Sequence, residues 1–221
     1  MTAPAGHAPI DRSPRWGLVA LGFALSILAA VALAELLKAG GDWNDGLAWE
    51  QAFMRSIPES LPAALDWIFL TLPWLSSNTI VLPLVLAGCL WLWRRRGRPD
   101  LAVHILAVDL GTFILTPLLK TLYDRPRPDL WEHRGQYAWS SFPSGHAMIG
   151  VAVFATIAVI AYREHGKLWP AGALFILLTV SLWSRLYLGV HWPTDVIAGA
   201  IIGAVWLGFT LHAFPARNPN R

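Results

Sequence analysis

His191 and Asp195 lie four residues apart in the run SRLYLGVHWPTD, with Pro193 between them. Proline favours the first turn of a helix, so Asp195 falls just inside a helix that His191 precedes. A carboxylate there can hold one imidazole nitrogen and leave the other free as a nucleophile. A second histidine, His146, closes the run Pro143-Ser144-Gly145-His146. It can protonate a leaving oxygen and later activate water. Fixed positive charge comes from Lys120 and Arg127 in KTLYDRPRP and from Arg185 beside Ser184. Guanidinium forks match phosphate oxygens. Ser144, Gly145 and His146 open an apolar run, and a helix N-terminus there offers unpaired N–H groups and a positive dipole end to an anion. Glycine at 145 permits close backbone approach. These residues suit phosphoryl transfer in which three cations replace Mg²⁺. No metal and no cofactor is expected.

Singly, each residue has a bland reading. An arginine near a membrane surface is usually an anchor, and a histidine at a helix end is usually structural. The combination carries the argument, so the elements that would bring it together matter. The chain has 221 residues, of which 55% are hydrophobic and only 14% charged. That is too apolar for an ordinary soluble domain and fits a membrane bundle. A spanning helix needs roughly 20 mostly apolar residues. Six stretches meet this: 16–34, 76–93, 100–122, 145–162, 168–187 and 193–214. The expected fold is therefore all-α, a six-helix transmembrane bundle over 16–214 between tails at 1–15 and 215–221.

Segment 41–75 mixes charges with Trp49, Phe53, Trp67 and Phe69. It reads as one or two interfacial helices between the first and second spans, broken near Pro58. Several of the thirteen tryptophans, such as Trp16, Trp91 and Trp169, flank apolar runs, as indole rings at a membrane interface do. Cys89 is the one cysteine, which rules out an intramolecular disulfide and suggests neither a thiolate cluster nor a thiol nucleophile. The first span, with Arg12 and Arg15 before it and Ala32-Leu33-Ala34 at its end, also has the outline of a signal peptide. It is long for one and is read as retained.

Basic residues occupy alternate loops: Arg12 and Arg15, Arg94–Arg98, Arg163 with Lys167, and Arg217 with Arg221. With six alternating spans these all fall on one side, which the positive-inside rule makes cytoplasmic. They read as topology signals; the formal charge of +3 gives no reason to expect nucleic acid. Lys120, Arg127, His146, Arg185 and His191 then share the outer face.

The three clusters resemble the type-2 phosphatidic acid phosphatase superfamily, whose members include vanadium haloperoxidases. Its signature is a lysine, six residues, then Arg-Pro; Pro-Ser-Gly-His; and Ser-Arg, five residues, His, three residues, Asp. Lys120 with Arg127-Pro128, Pro143–His146, and Ser184-Arg185 with His191 and Asp195 match it without departure. The resemblance implies a metal-independent lipid phosphatase in the plasma membrane, with membrane lipids around it and a lipid phosphate or diphosphate as substrate. By it His191 is the phosphorylated nucleophile, Asp195 its partner and His146 the acid. Lys120, Arg127, Ser144, Gly145 and Arg185 bind phosphate, and Ser184 supports the site. A lipid phosphotransferase and a non-catalytic binding or transport protein are the alternatives.

Three further readings rest on the residues alone. Asp109, Thr112, Thr116 and Lys120 form one polar stripe on the third span, with Asp109 read as a hydrogen-bonded lock between helices. Arg125 is a candidate aid to substrate binding. His104 and His212 are read as structural.

The expected topology is tested by membrane-impermeant thiol labelling of intact cells. A cysteine replacing Glu132 should label without lysis and one replacing Lys167 only after it. The opposite pattern overturns the assignment of faces.

Overall fold

The computed structural model describes residues 13–60, 66–131 and 140–214. Apart from residues 13–15, the expected tails lie outside this set, as do Glu132 and His133. Among the described residues the fold is all helical. Helix α1 spans Trp16–Ala39, α2 Ala48–Ser60, and α3 Asp66–Thr71 with a 3₁₀ continuation over Leu72–Ser76. Helix α4 is Asn78–Arg96 and α5 is Pro99–Leu122. Helix α6 covers Gly145–His165 with a π turn at Gly150–Phe154, α7 is Trp169–Tyr187, and α8 is Pro193–Ala213.

Five helices are long and apolar enough to cross a membrane, or six when the pair Trp67–Ser76 and Asn78–Arg96, bent by 45°, counts as one. The second span starts and ends later than the apolar run suggests. Arg94, Arg95 and Arg96 form its last turn, where cations face the negative end of the helix dipole. Gly97 stops it at φ 61°, and the Arg98 N–H returns to the Leu92 carbonyl. Segment 41–75 does form two helices. The first passes Pro58 and reaches Ser60.

Small residues set the packing. Helix α1 buries Gly22, Ser26, Ala30 and Ala34, one every fourth residue, against α8. Lipid tails are as apolar as leucine, so helices associate through close backbone approach. A Cβ on Gly22 would stand 2.4 Å from Phe209 Cβ. Within α5, Gly111 makes room for the Trp206 ring, whose Nε1–H donates to the Val108 carbonyl at 3.0 Å. On α8, Gly199 and Gly203 face the backbone of α6. A Cβ at 199 would meet the Ser144 carbonyl oxygen at 2.4 Å, and one at 203 the Met148 carbonyl oxygen at 2.7 Å.

The basic ends gather at one end of the bundle. Arg15 N–H donates to the Ala213 carbonyl, and His104 of α5 stacks on Phe214 with centroids 4.6 Å apart. Arg98 binds Asp100 and Glu164, carboxylates that raise its pKa further. At the opposite end lie α2, α3, the start of α4, the loop after α5, the N-terminus of α6, and the turn from α7 to α8.

Gly199→Ala should lower stability by about 1–3 kcal/mol, because the methyl forces α6 and α8 apart. A thermal melt in detergent measures it. An unchanged midpoint would mean that the contact is slack.

Candidate active site

A cavity of about 180 Å³ opens at this second end. Its lining includes Lys120, Arg127, Gly145, His146, Arg185 and His191, with Asn78, Thr116, Ile149 and Val190. Six of the eight residues singled out from sequence therefore meet around one space. Ser144 and Asp195 are fully buried behind it.

Each cation is oriented. Lys120, in the last turn of α5, donates to the Ser140 carbonyl at 2.5 Å. Arg127 Nη1 donates to the Val190 carbonyl at 2.5 Å. Arg185 Nε donates to Ser184 Oγ at 3.1 Å, and that hydroxyl in turn donates to the Ser181 carbonyl. Ser184 thus aims the guanidinium. Ser144 starts α6 with extended ψ 112°, and its N–H donates to the Asp195 carbonyl at 3.0 Å. Gly145 is explained by helix packing: a Cβ there would meet Thr116 Cγ2 at 2.8 Å.

His191 sits in the turn between α7 and α8. Gly189, at φ 68°, takes the left-handed conformation that ends α7, and a Cβ on it would press on the Trp131 indole at 2.7 Å. Pro193 then opens α8, as expected. Burial, with Lys120, Arg127 and Arg185 close by, pushes the His191 pKa well below its usual value.

The bond expected between His191 and Asp195 is not made. Nδ1 and Oδ2 are 3.7 Å apart, beyond hydrogen-bonding range. The carboxylate is engaged elsewhere. Oδ2 accepts from the Trp192 N–H at 2.8 Å, capping α8, and Oδ1 accepts from Arg125 Nη1 at 2.7 Å. Arg125 is 1% exposed, does not line the cavity, and also binds Glu50 at 3.1 Å. It is a buried structural cation and not an aid to substrate contact.

Three comparisons bear on this arrangement. Residues 100–219, more than half the chain, match the family described as the PAP2 superfamily. The chain belongs to the PAP2 superfamily. The Putative undecaprenyl-diphosphatase YbjG of Escherichia coli (strain K12) is 29% identical over 154 residues, 68% of this chain and 75% of the relative. Phosphatidylglycerophosphatase B of Bacillus subtilis (strain 168) is 30% identical over 152 residues, 63% of this chain and 70% of the relative. The crystal structure of a transmembrane PAP2-type phosphatidylglycerolphosphate phosphatase from Bacillus subtilis superposes with a TM-score of 0.72 at 23% identity, over 86% of this chain and 94% of that one. This last match speaks for a PAP2 fold.

Several residues of the PAP2 site escaped sequence reasoning. Ser140 carries the most contacts: its carbonyl takes Lys120 and Arg127, and its hydroxyl takes the Arg125 N–H and donates to the Tyr123 carbonyl. Two serines directly before Phe142-Pro143 were the available signal. Thr116, one turn below Lys120 on the polar stripe, lines the cavity, whereas Asp109 does not. The lock expected of Asp109 is incomplete, since its Oδ2 has no hydrogen-bond partner among the described residues. No group of three or more His, Cys, Asp or Glu gathers as for a metal among them either.

A depressed pKa keeps His191 neutral to lower pH than a free imidazole. ¹⁵N spectra of histidine-labelled protein, assigned with His191→Gln, should therefore show a neutral His191 ring at pH ~6, where a free imidazole is mostly protonated. A protonated ring at that pH contradicts the electrostatic argument.

Proposed function

We propose that this membrane phosphatase of the PAP2 superfamily hydrolyses a lipid phosphate or diphosphate through a phosphohistidine, without a metal. One observation carries the reading: two histidines and three cations line a single small cavity at one end of a membrane bundle. Lys120, Arg127 and Arg185 hold the phosphate oxygens and offset charge as it develops. His191 Nε2 attacks phosphorus, and the bond to the leaving oxygen breaks as His146 gives that oxygen its proton. His146 then takes a proton from water, whose oxygen attacks phosphorus and breaks the N–P bond. Asp195 answers the positive charge of the phosphorylated ring.

A second cavity supports a lipid substrate. It measures about 620 Å³ and is lined by Val81, Val85, Val153, Ile157 and Leu177 among others. Val81 lies one turn from Asn78 on α4, and Val153 one turn from Ile149 on α6, and those two neighbours line the polar cavity. Along α4 it runs from Val81 to Arg96, roughly 22 Å at the helical rise. A long acyl or prenyl chain can stay in hydrocarbon there while its phosphate reaches His191. Undecaprenyl diphosphate, phosphatidylglycerophosphate and phosphatidic acid all fit this description. The site is proposed to face outward from the plasma membrane, opposite the basic loops.

His191→Ala should abolish turnover and remove an acid-labile phosphoenzyme that the parent protein accumulates from ³²P-labelled lipid. Arg185→Lys keeps the charge but loses the fork, so turnover should fall by ~10² or more. Activity should persist in excess EDTA and should favour long-chain lipids over a soluble phosphate ester. Turnover by His191→Ala would sink the mechanism, and Mg²⁺-rescued loss in EDTA would sink the metal-free site. Equal use of the soluble ester would sink the lipid assignment alone.

A further inference from the structure

Arg125 is bound at every nitrogen and touches nothing in the cavity. Nε donates to the Trp43 carbonyl at 3.0 Å, Nη1 to Thr194 Oγ1 at 2.8 Å and to Asp195 Oδ1 at 2.7 Å, and Nη2 to Glu50 Oε2 at 3.1 Å. Its guanidinium carbon stands 5.1 Å from the Trp43 ring centroid and 5.7 Å from that of Trp192. Glu50, on α2, is equally committed. Oε1 accepts from the Thr194 N–H at 3.0 Å and from its hydroxyl at 2.6 Å, and Oε2 also accepts from the Leu47 N–H at 2.9 Å. Glu50 and Asp195 are 0% exposed.

Burying three charges is costly, and Asp195 meets Arg125 through Nη1 alone, leaving Nη2 to Glu50. Glu50 brings a second carboxyl group to the one guanidinium, so the set has one formal negative charge in excess beside His191 Nδ1. Attack by neutral His191 on phosphorus leaves the ring positively charged. An anion 3.7 Å from Nδ1 then gains most of its attraction as the charge forms. Arg125 also holds Asp195 by Oδ1, while the Trp192 N–H holds Oδ2, so that Oδ2 stays on the His191 side.

From this we infer that Arg125 and Glu50 are positioning residues of the phosphatase reaction. Arg125 fixes the Asp195 carboxylate, and Glu50 restores the net negative charge that Arg125 would otherwise cancel. The inference rests on the phosphohistidine reading above. It gives the interfacial helix α2 a part in the chemistry through one side chain.

The decisive variant is Glu50→Gln, which keeps the shape and one of the two acceptor oxygens but removes the charge. Its kcat should fall about 10- to 100-fold with KM for the lipid within threefold. Glu50→Asp should recover part of the loss. Arg125→Lys, which lacks the fork, should fall further, again in kcat. In an Asp195→Asn background neither substitution should cost more than about twofold, because the residue they act through is already lost. A loss in KM would make the pair a substrate-binding element. Full kcat in Glu50→Gln, losses that multiply with Asp195→Asn, or a Glu50→Gln protein that does not fold would each overturn the positioning role. Turnover by His191→Ala would instead remove the phosphohistidine reading on which the role depends.

Discussion

The cavity end of the bundle hangs on one buried charge cluster: Glu50, Arg125 and Asp195. Moving ions out of water costs several kcal/mol each, and such a cluster survives only when its hydrogen bonds are complete. Here both oxygens of each carboxylate and all three guanidinium nitrogens are engaged. The partners lie 70 and 75 residues from Arg125 in sequence. One side chain thus joins α2, the loop after α5 and the N-terminus of α8. With the Arg125 backbone fixed, its neighbours follow: the Arg125 N–H and carbonyl pair with Ser140 and Ser141, and the Ser140 carbonyl takes Lys120.

Below that cluster, close helix packing sets the distances between the catalytic candidates. Hydrophobicity sorts helices into a bilayer but does not press them together. Glycines do so here. Gly199 and Gly203 let α8 lie against the backbone of α6, and Gly145 lets the start of α6 lie against Thr116 of α5. His146 on α6 and His191 ahead of α8 reach one cavity because those two helices nearly touch. A methyl group at any of the three positions would disturb the packing that brings His146 and His191 to that cavity.

The sequence disclosed the six spans and the gathering of Lys120, Arg127, His146, Arg185 and His191, because apolar run length and local motif spacing are properties of contiguous residues. It also placed Pro193 and Asp195 in the first turn of α8. It could not assign Arg125. Its neighbours on both sides belong to a phosphate-binding pattern, and nothing local says that this guanidinium turns away toward Glu50. Glu50 itself lay in a segment whose mixed polarity reads as interfacial, a description that fits its helix and misses its burial. The spacing of His191 and Asp195 suggested a direct hydrogen bond. The carboxylate's competing duties, as helix cap and as partner of Arg125, emerge only from the tertiary fold.

On the proposed reading, the surroundings of His191 are divided by charge. Toward the cavity stand Lys120, Arg127 and Arg185, which with burial oppose protonation and so preserve the lone pair that attacks phosphorus. Behind the ring stands Asp195, too far to bond the neutral imidazole but near enough to attract it once it is charged. Cations alone would keep the nucleophile neutral yet penalise the phosphorylated ring. An anion alone would favour a protonated, inert ring. Substrate phosphate resolves the conflict, because its own negative charge occupies the cationic side and cancels the field that had held the imidazole neutral. Bond formation then places positive charge on a ring whose far side is already anionic. The arrangement therefore favours the charged ring only when phosphate is present, which is the differential stabilisation that catalysis requires.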